Sequence, residues 1–155
     1  MKKTEAAFKW IVNILNEHQI PFQIAGGFAA RLYGSTRELA DIDIDIPAGR
    51  IEDIQEDVKE YIIFGPEMYK DENWDLLLMT LRYEGQDIDI SSIDTVKIFN
   101  QNTQNWEDGA LDFQDTRIHT VFGLDVPVIS RENLIKYKSK LLREVDKLDI
   151  EEISK

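Results

Sequence analysis

Residues 41–46 read Asp-Ile-Asp-Ile-Asp-Ile, and the same alternation returns in Asp87-Ile88-Asp89-Ile90. A period of two belongs to an extended strand, so Asp41, Asp43 and Asp45 share one face while Ile42, Ile44 and Ile46 share the other. Aspartate is a poor strand former, and like charges aligned on one face repel each other. Something must offset that repulsion. A divalent cation held by oxygen ligands, Mg²⁺ or Mn²⁺, does so, and such ions are commonly shared between a few carboxylates and substrate phosphates.

The chain has 155 residues, 43% hydrophobic and 31% charged, which suits one soluble globular domain spanning 1–155. Its formal net charge of −12 repels nucleic-acid phosphates and favours a cationic or neutral partner. There is no cysteine, which excludes disulfides, thiolate nucleophiles and Cys-type zinc sites. His18 and His119 lie far apart, without metal-ligand neighbours at helical spacing. Glu5, Lys9 and Asn13 interrupt any signal-peptide core after Met1-Lys2-Lys3, and no run approaches membrane-spanning length. The expectation is a cytoplasmic protein.

Ala7, Phe8, Ile11, Val12 and Leu15 predict an amphipathic helix over 4–18. A short strand over 22–25 leads through Gly26-Gly27 to a helix over 28–33, stopped by Gly34. The acidic strand covers 40–46 and ends at Pro47; Ile51, Ile54, Val58 and Ile62 predict a helix over 49–62. Residues 76–83 and 87–91 read as strands joined by a tight turn at Glu84-Gly85. The polar run 100–113 reads as a loop, and 116–121 with 124–129 as a hairpin around Phe122-Gly123. Ser130 is the expected N-cap of a helical region over 130–153, broken near 143–146. The fold class is therefore α+β: a small mixed sheet with helices on one face and carboxylates on adjacent strands.

Glycine at a strand-to-helix turn lets the backbone approach a ligand closely, and N–H groups at a helix start favour anions. Gly26-Gly27, then Asp41-Ile42-Asp43, then Ile88-Asp89-Ile90 follow in that order. With Arg37 before the first acids, and Lys138, Arg143, Asp146 and Asp149 in the last region, the pattern resembles the nucleotidyltransferase superfamily typified by DNA polymerase β. It is most similar to its minimal and lincosamide- or aminoglycoside-modifying members. The resemblance implies that Asp41, Asp43 and Asp89 hold the metal, with Asp89 also the candidate base. It implies further that Gly26, Gly27, Arg37 and Lys138 bind the nucleotide. The implied reaction is metal-dependent transfer of a nucleoside monophosphate from a nucleoside triphosphate to a hydroxyl, releasing pyrophosphate.

Plainer roles stand beside these. Asp45 is a solvated or supporting carboxylate, and Asp87 a solvated or auxiliary one. Arg37 is alternatively a surface ion-pair partner and Lys138 a helix-surface lysine. Arg143 with Asp146 reads as a helix-stabilising pair. Trp74 and Trp106 flank a base or, better, pack the core or anchor a loop; His119 is structural. Leu39 stands where small superfamily members often carry Thr or Ser, and Gly34-Ser35 lies too near Asp41 to start the motif. The leading acceptor is a small molecule. A protein or a tRNA end, as in toxin–antitoxin enzymes, and a non-catalytic nucleotide- or metal-binding regulator are the alternatives. The acidic chain, lacking a Lys/Arg-rich run, disfavours nucleic acid without closing the tRNA option. A homodimer would complete the cleft of so small an enzyme.

Overall fold

The computed structural model describes residues 2–109, 113 and 115–155. Five helices and nine strands are found among them: α1 (Lys2–Glu17), β1 (Gln23–Ile24), α2 (Gly26–Leu32), β2 (Asp41–Ile46), α3 (Ile51–Val58), β3 (Ile62–Lys70), β4 (Trp74–Tyr83), β5 (Gln86–Ser92), β6 (Lys97–Asn100), β7 (Asn105–Asp108), β8 (Thr116–Val121), β9 (Leu124–Ile129), α4 (Arg131–Leu141) and α5 (Glu144–Ile153). The sheet runs β7-β6-β4-β5-β2-β1-β9-β8, with β3 also paired to β4. It is mixed: β2–β5 and β1–β9 are parallel and the other pairs antiparallel.

The alternation in β2 and β5 organises the core. Ile42, Ile44, Ile46, Ile88 and Ile90 are at most 1% exposed. Each contributes roughly 2–3 kcal/mol by leaving water. They belong to one apolar cluster with Phe8, Ile11 and Leu15 of α1 and Ile51, Ile54 and Val58 of α3. Phe8 stacks on Phe28 of α2 at 5.4 Å, which ties the glycine turn to the same core. A smaller cluster forms where Leu141 of α4 meets Leu76, Val96 and Ile98.

Both hairpins fall where their turn residues put them. Glu84-Gly85 and Phe122-Gly123 each take two successive positive φ angles, as two-residue turns matching strand twist require. Ser130 caps α4 by accepting from the Asn133 N–H at 3.1 Å. The last helical region breaks at Leu142, which is left-handed, and restarts at Arg143, whose N–H donates to the Asp146 carboxylate at 3.0 Å.

Three stretches differ from expectation. The helix over 49–62 is shorter: α3 stops at Val58, with a 3₁₀ turn on each side, and Ile62 already pairs with Leu81 of β4. Its apolar spacing fits a helix through Ile62, but pairing with β4 wins the last turn. Strand β3 is not among the expected elements; it carries no clean alternation, and its register against β4 shifts on either side of Phe64, the second shift spanning Gly65-Pro66. The polar run 100–113 holds strand structure: β6 and β7 form a hairpin whose turn is tightened by Asn100, its side chain accepting from Asn102 N–H and Thr103 N–H. Positions 110–112 of that run lie outside the described residues.

Candidate active site

Parallel pairing of β2 with β5 sets Asp41 beside Asp87, Asp43 beside Asp89, and Asp45 beside Ser91. On the far side of β5, Arg82 of β4 faces Asp87 and Thr80 faces Asp89. Five carboxylates therefore share the face opposite the isoleucines, but their surroundings differ. Asp87 is ion-paired with the Arg82 guanidinium at 2.6 Å near the surface, which sets it apart as a solvated acid. Asp89 accepts from the Thr80 hydroxyl at 2.8 Å through Oδ1. Asp45 accepts from Gln23 Nε2 at 2.9 Å, a supporting arrangement. Asp43 accepts from the Gly27 N–H at 3.1 Å, so that amide faces a carboxylate in the ligand-free protein.

Electrostatics follow from this crowding. Burial first, then Asp89, Asp41 and Asp45, push the Asp43 carboxyl up to about 8, against a pull downward from the Gly27 N–H. Burial raises Asp45 to about 6, and Gln23 opposes it. Asp89 is raised mainly by burial, with Thr80 opposing and Asp41 and Asp87 adding repulsion. Asp41 is raised by burial and by Asp87. Among the described residues, none of Asp41, Asp43 and Asp89 has an ion-pair partner. Nor do three or more metal-ligating side chains close up enough to hold an ion unaided. An all-oxygen set, short of positive charge and short of ligands, suits a hard divalent cation whose remaining positions are filled from outside the protein.

The acids floor a cleft of about 550 Å³. Gly26, Gly27 and Arg37 line one side, and Trp74, Tyr137 and Arg143 are also at its wall. Gly26 has φ +56°, and a Cβ there would press on the Asp43 carboxylate, 2.7 Å from its Cγ. Glycine is needed because the turn is left-handed and the acid lies against it. A Cβ on Gly27 would lie 2.7 Å from Arg37 Nη2. Trp74 Nε1 donates to the Tyr137 hydroxyl at 2.6 Å, and the Arg143 guanidinium lies 4.6 Å over the Trp74 ring. Trp74 is thus a cleft residue, whereas Trp106 is 39% exposed, edge-on to Phe99. His119 packs edge-on against Tyr33.

Arg37 and Lys138 are not on open surface. Lys138 is 2% exposed and lies 3.2 Å from Asp146 and 3.0 Å from Asp149, both fully buried. This corrects the alternative of a helix-surface lysine: position 138 is on the inward side of α4 because two carboxylates of α5 need its charge. Arg37 is held by Asp149 at 2.9 Å. Arg143 pairs with Asp146 at 2.7 Å while capping α5, the helix-stabilising role expected of that pair. Thr80 escaped the sequence reading, although counting pairs back from the Glu84-Gly85 turn sets it opposite Asp89.

Comparison with known proteins decides the family. The model of the aminoglycoside-2''-adenylyltransferase family matches residues 7–153. The chain belongs to that family. Membership makes this adenylyltransferase relative an enzyme, a nucleotidyltransferase. Solved structures share its fold at low identity. A Thermotoga maritima protein described as a candidate nucleotidyltransferase is 21% identical, with a TM-score of 0.73 over 92% of this chain and 86% of that one. The lincosamide antibiotic adenylyltransferase LnuA, in its lincomycin-bound form, is 20% identical with a TM-score of 0.63, over 98% and 96% of the two chains. The antibiotic-resistance factor ANT(2'')-Ia is 19% identical with a TM-score of 0.60, over 97% and 80%. No curated protein matches significantly. No helix among the described residues of this family member is long and apolar enough to cross a membrane.

Proposed function

We propose that this family member transfers a nucleoside monophosphate from a nucleoside triphosphate, ATP by the family's name, to a hydroxyl of a small antibiotic-like acceptor, releasing pyrophosphate. The observation that carries this reading is the shared face of Asp41, Asp43 and Asp89, without an ion pair to a protein cation among the described residues and open to the cleft beside Gly26 and Gly27. The names of the relatives support an aminoglycoside or lincosamide as acceptor. The net charge of −12 favours such a cationic or neutral acceptor over tRNA.

Asp41, Asp43 and Asp89 would hold Mg²⁺ or Mn²⁺, which supplies positive charge at the α-phosphate and eases ionisation of the acceptor hydroxyl. Thr80 fixes Asp89 through Oδ1, leaving Oδ2 to take the hydroxyl proton. The Gly27 N–H orients Asp43, and the missing side chains of Gly26 and Gly27 let the Asp43 carboxylate and the Arg37 guanidinium lie against the turn at the edge of the cleft. Arg37 supplies a guanidinium on the same side.

Calorimetry tests the shared site. Mg²⁺ alone should bind weakly, and a nucleoside triphosphate should bind at least about tenfold more tightly with Mg²⁺ than without it, because phosphates complete the ligand set. Equal nucleotide affinity in the presence of Mg²⁺ and of a chelator would count against the reading.

A further inference from the structure

The ion pairs behind the glycine turn carry an inference that rests on the nucleotidyl-transfer reading above. Asp149 is fully buried, and its two oxygens serve three side chains from two chain segments. Ser35 Oγ donates to Oδ1 at 2.8 Å. Arg37 donates through Nε to Oδ1 at 3.0 Å and through Nη2 to Oδ2 at 2.9 Å. Lys138 Nζ lies 3.0 Å from Oδ2. Beside it, the Thr36 hydroxyl donates to Glu152, so α5 braces the whole 35–37 loop.

Arg37 is gripped along one edge only. Its Nη1 donates no hydrogen bond among the described residues and lies 3.6 Å from the Cβ position of Gly27, and both residues line the cleft. A two-point grip of this kind removes rotamer freedom before any ligand arrives. Charge points the same way. Arg37, Lys138 and Arg143 face Asp146 and Asp149 within this cluster, three cations against two carboxylates. The surplus positive charge belongs to a cluster whose three cations, Arg37, Lys138 and Arg143, all line the cleft, where an anion can use it.

We propose that Asp149 is a positioning residue: it holds the Arg37 guanidinium against Gly27 with Nη1 free for the β- and γ-phosphates, and Lys138 is a second, internal counter-charge to the same carboxylate. The carboxylate touches no substrate and acts through Arg37.

The test uses the full chain with Mg²⁺, the nucleoside triphosphate that the wild-type protein binds most tightly, and the matching monophosphate. Asp149→Asn and Arg37→Lys should each weaken triphosphate binding by about tenfold, the worth of one well-placed charge-assisted hydrogen bond. Monophosphate binding should be unchanged, and the double variant should bind no worse than either single one, because both changes remove the same grip. A merely structural Asp149 would weaken both nucleotides alike and would add to Arg37→Lys; either result overturns the proposal. If Asp149→Asn does not fold, Arg37→Lys still decides. It keeps the charge and loses the two-point grip, so parental triphosphate affinity in that variant overturns the proposal. A wild-type protein that binds no triphosphate overturns the nucleotidyl-transfer reading and this inference with it. A wild-type protein that binds, with both single variants matching it, overturns this inference alone.

Discussion

Asp43→Asn is expected to abolish nucleotidyl transfer, by about 10³-fold or more, while making the metal-free protein more stable at neutral pH. The first effect follows from removing the proposed metal-holding carboxylate at the centre of the acid row, beside Asp89 and held by Gly27. The second follows from the raised carboxyl. Unfolded, Asp43 titrates near its ordinary value of 3.8; folded, it titrates near 8. Between those values the folded chain keeps a proton that the unfolded chain has released, so stability falls as pH rises. The loss begins above about pH 4 and is complete as pH passes through the folded value. Asp45 adds a smaller loss of the same sign that ends nearer 6. In metal-free buffer the melting temperature of the parent should therefore fall between pH 5 and pH 8. Asp43→Asn should flatten that fall and melt about 5 °C higher at pH 8. Excess Mg²⁺ should stabilise the parent more than the variant. A solvated acid would leave activity and melting curve alike unchanged, and a structural one would lower the melting temperature at every pH.

Gly26→Ala carries the second large effect. An alanine at φ +56° bears a left-handed penalty of about 1–2 kcal/mol, and its Cβ would occupy space now held by the Asp43 carboxylate. The carboxylate must move, because the turn is tied by the Ala25 N–H to the Asp43 carbonyl at 3.0 Å and by Phe28 to the core. The expected outcome is a loss of about 2–3 kcal/mol in stability together with loss of transfer in the fraction that stays folded. Urea denaturation and activity per folded molecule measure the two separately. Gly27 should behave differently. Its added Cβ would meet only the end of the Arg37 side chain, which threatens nucleotide binding more than folding. Parental stability and full transfer in Gly26→Ala would contradict the part given to this turn.

Much of the site was legible because its determinants are local. A strict period of two decides which face Asp41, Asp43 and Asp89 share, and no tertiary context can move one of them without moving its isoleucine neighbours. The two-residue turns ending in glycine behaved the same way, at Glu84-Gly85 and Phe122-Gly123. What stayed hidden depends on pairing between distant segments. Strand β3 has no alternation of its own and exists because β4 offers a free edge. The Asn- and Gln-rich run looked featureless, yet Asn100 folds its turn through its side-chain oxygen, which accepts from two backbone N–H groups. Lys138 shows the limit most clearly: the resemblance singles it out, but no spacing on its polar helix marks it as buried, and only its approach to Asp146 and Asp149 on the next helix explains that burial. Those two acids stand three apart, on one face of α5, so their shared partner was the piece that sequence alone could not name.

The central claim, that the acid row transfers a nucleotide to a small hydroxylated acceptor, is tested most directly by product mass. The protein is incubated with each of the four ribonucleoside triphosphates, Mg²⁺, and a panel of aminoglycosides and lincosamides, and the acceptor is weighed by mass spectrometry while pyrophosphate is assayed. The account predicts one acceptor gaining one nucleoside monophosphate, with one pyrophosphate released per acceptor modified, and neither product when Asp43→Asn replaces the parent. Transfer that persists undiminished in Asp43→Asn, or an acceptor that gains a phosphate in place of a nucleoside monophosphate, would contradict it.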